Sequence, residues 1–427
     1  VSAAGLSVAV IGAGTAGPAA ALLCARGGAR VTLFERVASP QPVGAGLLLQ
    51  PTGMAVLSRL GVLAPVLERG ARITHLRGFT PGGRAVLDLA YAARRPDLFG
   101  LGVHRGSLFA ALWAALEPAG VEVRTGVAIE PPETDADGRF RLPGAPERAY
   151  DLVIVADGSR SQLRAAVGPV SRARPYPYGA LWFIGSDHEG RFDGVLHQVY
   201  RGARQMLGLL PSGAAPGAPE RLCSLFWSLP MQGPRGVDAV RAAGLEAWRR
   251  AAVELCPAAE PLLAQVRSMD DLLTAPYYDV VMARTHRVTP RGRGAVVLGD
   301  AAHAMSPQLG QGANLALLDA AALADALAEA GAFADPTQVA PALAAYEARR
   351  RGPVRTYQRL SRWLTPVFQS EHETLAVVRD AFFGPLCRVP PVRRLMLDSL
   401  TGVKTSLMGG AEPPRLALPV EPGTPGP

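Results

Sequence analysis

Cysteine is scarce in this chain. Cys24, Cys223, Cys256 and Cys387 are its only four, far apart and without CxxC or zinc-type spacing. That argues against a disulfide framework and against thiolate metal sites, and leaves buried or incidental thiols. Lysine is scarcer still: Lys404 stands alone, and the formal charge of +8 rests on arginines scattered through the chain. With no basic block or aromatic-interleaved patch, a nucleic-acid partner is not expected. No uninterrupted apolar run reaches transmembrane length, and the apolar start lacks the charged n-region of a signal peptide. A cytoplasmic protein is the expectation. The seven histidines do not cluster, and neither His188-Glu189 nor His372-Glu373 continues to a second histidine at i+4, so no metal is expected. Oligomeric state is not readable.

What is present is a large apolar content, 48% over 427 residues, enough for two or three domains. An apolar run at 6–11, a small-residue segment at 15–26 and a second run at 30–34 form a βαβ opening. A helix is expected over 106–117 and strands over 121–124 and 152–156. Between about 172 and 287 short aromatic and β-branched runs alternate with Gly/Pro turns, broken by a helical stretch near 245–255, which predicts an antiparallel sheet domain. A strand at 295–298 then feeds a helix over 312–330, and an Arg-rich helical stretch follows. The fold class is therefore α/β: a Rossmann-like nucleotide domain, a β-sheet substrate domain and a C-terminal helical region. The boundaries fall at 1–171 and 288–335 for the two parts of the first, 172–287 for the second, and 336–411 for the third. Residues 76–97 are allowed to pack with the sheet domain, and 412–427 read as a disordered tail.

Gly12, Gly14 and Gly17 make a GxGxxG between strand and helix, and Glu35 ends the second strand. Glycine there allows a tight turn and close backbone approach to a pyrophosphate at a helix N-terminus, while Glu35 can accept from a ribose. A second nucleotide-facing element lies in AVVLGDAAHAMSPQLGQGANLALLDA: Gly299-Asp300 at a strand end, then Gly310, Gly312 and Asn314 leading into a helix. The acid suits a ribityl hydroxyl, and the helix entry offers free N–H groups to an anionic reduced flavin. Two such elements on one sheet fit FAD better than NAD.

These motifs, with Glu35-Arg36, Gly44-Ala45-Gly46, Arg105 and the Asp157-Gly158 of DLVIVADGSRSQLR, resemble the class A flavoprotein monooxygenases, the para-hydroxybenzoate hydroxylase-like group that includes ubiquinone-pathway and polyketide hydroxylases. The resemblance implies that Glu35, Arg36, Arg105 and Asp300 contact FAD, that Asp157 links flavin and nicotinamide binding, and that Pro307 and Gly310 to Gly312 line the isoalloxazine. It implies NADH or NADPH as cosubstrate. It also implies transfer of one oxygen atom from O2, through a flavin C4a-hydroperoxide, to an electron-rich aromatic, quinone-like or quinolone-like substrate, by hydroxylation or epoxidation. A flavin reductase or dehydrogenase without oxygen transfer, or a non-catalytic FAD-binding protein, is the competing reading. A halogenase is disfavoured because WxWxIP is missing.

No catalytic base is assigned. His303 is expected to brace the turn after the Gly-Asp strand. Tyr176, Tyr178, Trp182, His197, Tyr200, Trp227, Tyr277 and Tyr278 are expected as core or cavity wall. The Arg-rich C-terminal helices, with Trp363, Phe368, Phe382 and Phe383, can be drawn against an anionic membrane, but packing on the flavin domain is the stronger expectation.

Overall fold

The computed structural model describes residues 5–41 and 44–416. Its first layer is a six-stranded sheet in the order His286–Val288, Gly294–Val297, Leu152–Val155, Ser7–Ile11, Arg30–Glu35, Glu122–Thr125, parallel except for the His286–Val288 edge. Ser7–Ile11, Leu152–Val155 and Gly294–Val297 are buried at every position. That is the signature of parallel strands covered on both faces. One face is covered by the helices Ala16–Arg26 and Gly312–Glu329. The other carries a small sheet, Glu133–Thr134, Phe140–Leu142 and Ala145–Tyr150, whose Phe140, Leu142 and Tyr150 pack on Ala9, Phe34 and Val153.

The second sheet has nine strands. Its order is Leu273–Met282, Val170–Ser186, Leu222–Pro230, Gln205–Gly213, Gly194–Arg201, Ala71–Phe79, Gly100–His104, Gly46–Leu49, with Ala85–Ala90 beside Ala71–Phe79. Four of these strands lie between residues 46 and 104, so the sheet reaches further back along the chain than the 76–97 allowance. The pairing of Gly194–Arg201 with Ala71–Phe79 is parallel, so the sheet is mixed at that seam. The early strands are short apolar runs such as GLLL, whose partners lie far away in sequence, and nothing local distinguishes them from nucleotide-domain strands. Successive side chains alternate: Leu181 and Trp227 pack beneath the helices Val237–Ala243 and Leu245–Leu255, and Trp182 and Phe226 face the other way.

The C-terminal region is three helices, Val339–Phe368, Glu373–Leu386 and Pro390–Leu400. Phe368 and Phe383 meet 5.9 Å apart inside, whereas Trp363 and Phe382 are exposed. The guanidinium of Arg379, fully buried, lies over Tyr200 and Phe368 and donates to the carbonyls of Val367 and Gly202. The expected disorder from residue 412 is corrected at its start: Glu412 pairs with Arg94 at 2.8 Å, and Arg95 donates to the carbonyls of Pro413 and Pro414. Residues 417–427 of that tail lie outside the described residues. All four cysteines are buried and free, no metal-ligating cluster occurs among the described residues, and no helix there is long and apolar enough to cross a membrane.

Candidate active site

The parallel strands end side by side. Ile11 is in register with Phe34 and Val155, and Val155 with Val297, so the segments that follow them converge on one edge of the sheet. That edge is where open α/β sheets bind nucleotides. Gly12 has φ +103° and a Cβ there would lie 2.5 Å from the Ala156 carbonyl oxygen; a Cβ at Gly17 would lie 1.8 Å from that of Gly12. Both glycines are demanded by backbone approach. Gly14 differs: its Cβ position meets no protein atom within 4 Å, leaving room for a phosphate at the start of Ala16–Arg26. The Glu35 carboxylate accepts from Ala13 N and Val37 N, both at 2.9 Å, locking the turn while each oxygen keeps a lone pair for a ribose hydroxyl. Arg36 is exposed beside it.

On the neighbouring strand end, Asp157 has a buried Oδ1 with no partner, and burial pushes its carboxyl above the usual range against the pull of Ser161 and Arg164. Arg164 is buried and donates to the carbonyls of Gly158 and Ser159, with Nε and Nη1 unpartnered. Burial lowers its pKa, opposed by Asp157 and by Asp300, so its cation sits within the field of both acids. Asp300 opens a short helix after Gly299 (φ +58°), and its Oδ1 lies 3.7 Å from the Cβ position of Gly312. The turn Pro307–Leu309 leads through left-handed Gly310, around whose Cβ position no protein atom lies within 4 Å, into the helix starting at Gly312. Orphaned polar atoms beside glycines with vacant space are what a polar, anionic cofactor of dinucleotide size requires.

Asn314 is placed differently from the expectation. Its side chain is fully buried, accepting from Gln50 N at 2.8 Å and donating to the carbonyls of Leu48 (3.2 Å) and Gly310 (3.1 Å). It clasps the end of Gly46–Leu49 to the glycine turn, and its amide is spent on protein. Gly46 likewise answers to protein: a Cβ there would lie 2.0 Å from Ser212 Oγ, and Gly46 N donates to Ser224 Oγ at 2.7 Å. His303 braces the turn. Its Nε2 lies 2.6 Å from Asp319 Oδ2, and the same carboxylate accepts from Gly299 N at 2.9 Å and from Arg350 Nε at 2.7 Å. Asp319 and Arg164 are not singled out by the sequence. The available signal for Asp319 was an acid on the buried face of an otherwise apolar helix.

The family described as "FAD binding domain" matches residues 5–181 and 274–359. Those residues hold both strand-end motifs. The chain belongs to the FAD-binding-domain family. It is a class A FAD-dependent monooxygenase, with FAD as cofactor and NAD(P)H as cosubstrate. It is 28% identical over 386 residues to the FAD-dependent monooxygenase OpS4 of Beauveria bassiana, covering 81% of each chain. It is also 28% identical over 390 residues to a probable 2-heptyl-3-hydroxy-4(1H)-quinolone synthase, AqdB2, of Rhodococcus erythropolis, covering 89% of this chain and 91% of the relative. In fold it is similar to 2-methyl-3-hydroxypyridine-5-carboxylic acid oxygenase, with a TM-score of 0.71 and 24% identity over 94% of this chain and 99% of that one.

In this monooxygenase the large sheet is bolted to the segment that follows Gly299-Asp300, since Val280 N donates to the Ala304 carbonyl at 2.9 Å. The adjoining wall is aromatic. Trp182 and Phe226 meet at 5.2 Å, Tyr277 lies beside Trp182, and Tyr176 lies close to Ser306 and Ser361. Burial raises both phenols, so they remain protonated donors at neutral pH. The Trp182 indole N–H, Tyr176 hydroxyl, Ser306 hydroxyl and Gln308 amide have buried atoms without partners. Tyr178, Tyr200 and Trp227 are otherwise engaged, with Glu371, Phe368 and Trp248. His197 lies 5.5 Å from Phe79. Arg105 is exposed at the start of Arg105–Ala114; its stem lies on Gly44, and it makes no ion pair among the described residues.

Proposed function

We propose that the monooxygenase hydroxylates or epoxidises an electron-rich aromatic, quinone-like or quinolone-like molecule. The observation that carries this reading is the aromatic wall of Trp182, Phe226 and Tyr277, set against the segment after Gly299-Asp300 and fitted with unpartnered donors at Tyr176, Ser306 and Gln308. A flat ring with carbonyl or hydroxyl oxygens satisfies both the apolar surface and those donors. The quinolone named in the Rhodococcus relative has that chemistry.

FAD, once bound, accepts hydride from NAD(P)H and activates O2. The chain's residues hold and shield it. Gly14 and the N-terminus of Ala16–Arg26 receive the pyrophosphate, and Glu35 and Asp300 accept hydroxyls at the two ends of the cofactor. Arg36 and Arg105 supply cations beside it, Pro307 and Gly310 line the ring, and the helix start at Gly312 approaches it with free N–H groups that favour negative charge. Asp157 and Arg164 stand between the two strand-end motifs. The apolar sheet excludes water from the reacting face.

The test is a panel of phenols, quinols and hydroxyquinolones screened for stimulated NAD(P)H oxidation, with products weighed under 18O2. One 18O atom per product is expected. Stimulation only by aliphatic or electron-poor compounds overturns the substrate class, and turnover without O2 overturns the oxygen transfer.

A further inference from the structure

The face of the large sheet opposite Trp182 and Phe226 is incompletely covered. Between it and the helices Val237–Ala243 and Leu245–Leu255 lies a cavity of ≈ 550 Å3, lined in part by Trp227, Trp248 and Val240. That volume is in the range of small-molecule sites. Trp227 and Trp248 meet edge-on at 6.4 Å, giving an aromatic floor. Trp248 is 3% exposed, and its indole N–H has no partner.

The rim carries guanidinium groups from Arg201, Arg204 and Arg235, and carboxylates from Glu371 and Glu373. The carboxylates are already engaged: Glu371 accepts from Tyr178 at 2.8 Å and from Arg235, and both acids lie 3.0 Å from Arg204 Nε. Arg204 Nε nonetheless lacks an aligned acceptor. Arg201 is likewise paired, with Glu254 at 3.1 Å, so the rim's carboxylates are spent while the remaining N–H groups of its three guanidiniums stay open to an acceptor.

We infer that this cavity is a second binding site, separate from the flavin site, for a small aromatic carboxylate. The ring rests on the indoles of Trp227 and Trp248, and the carboxylate accepts from the rim guanidiniums. A neutral ligand would leave those donors unmet, and an aliphatic anion would forgo the aromatic floor. No step of the flavin chemistry is involved, so occupancy is measurable by binding alone.

The experiment is calorimetric titration of the FAD-loaded protein with 2-naphthoate and, separately, with neutral 2-naphthamide. 2-Naphthoate is expected to bind about tenfold or more tightly than the amide. Ala247→Phe, which fills the cavity from the helix Leu245–Leu255, should abolish that binding while FAD content and basal NAD(P)H oxidation stay unchanged. Arg235→Gln, at an exposed position where misfolding is not at issue, should weaken 2-naphthoate by about three- to tenfold and leave the amide unaffected. Absence of 2-naphthoate binding, equal binding of the amide, or full affinity in both variants would overturn the assignment.

Discussion

Asp319 and His303 face each other across a 2.6 Å contact, both buried, directly behind the Gly299–Asp300 turn. Burial raises the Asp319 carboxyl, but His303 and Arg350 outweigh it and hold the pKa at about 2, below the ordinary 3.8. A depressed acid contributes stability that is present above its unfolded value and lost as pH falls through the folded one. Asp319→Asn should therefore cost about 3–5 kcal/mol at neutral pH, because it leaves a buried cation unpaired. The difference from wild type should narrow between pH 3.8 and about 2. Denaturant unfolding at neutral and acid pH measures it, and a pH-independent gap contradicts the assignment.

Two glycines of one turn should behave in opposite ways. Gly17→Ala forces a methyl into the Gly12 carbonyl and should destabilise the apoprotein by about 1–3 kcal/mol or more. Gly14→Ala meets only open space in the protein, so apoprotein stability should change by less than about 0.5 kcal/mol. Its methyl would occupy the pyrophosphate's place, and FAD affinity should fall by about tenfold or more. Thermal melts of apoprotein and flavin-fluorescence titrations separate the two. Equal FAD affinity in Gly14→Ala removes that glycine from the cofactor site.

Asn314→Ala should act on the fold before the cofactor. It orphans Gln50 N and two carbonyls that the amide now satisfies, at a cost of about 2–4 kcal/mol. A variant with wild-type apoprotein stability but weakened FAD binding would restore Asn314 to the cofactor contacts.

Asp300 and Arg105 are exposed and free of structural duty, so their variants should fold normally. Asp300→Ala should weaken FAD by about 1.5–3 kcal/mol, the scale of a charged hydrogen bond. Arg105→Lys keeps the charge but loses the planar fork and should lower FAD occupancy and turnover. Unchanged titrations in either variant dismiss that residue from the site.

What could be read from the sequence was what local physics determines. The turn at Gly12 to Gly17, the acid closing the next strand, and the Gly299-Asp300 strand end are each written within a few residues, and they sit where that pattern predicts. The side chain of Asn314, expected at the cofactor by the same local logic, is engaged with Leu48 and Gln50, partners that are invisible at short range. Asp319 matters through partners on other elements, Gly299, His303 and Arg350, which no local pattern reveals. The strands at Gly46–Leu49 and Ala71–Phe79 were hidden for the same reason: pairing over long sequence separation leaves no periodicity to read.

The parallel seam between Ala71–Phe79 and Gly194–Arg201 also constrains how this chain acquires its shape. The nine-stranded sheet is not finished until Leu273–Met282 has docked on Val170–Ser186, and the nucleotide sheet waits for Gly294–Val297 to reach Leu152–Val155. Neither layer can be completed by a fragment that ends before Leu273–Met282, and both are completed within a short stretch of chain. Such non-local topology folds slowly and leaves strand edges bare in the meantime. The two layers are thus expected to gain and lose structure as one cooperative body, with chaperone demand concentrated before the second layer closes.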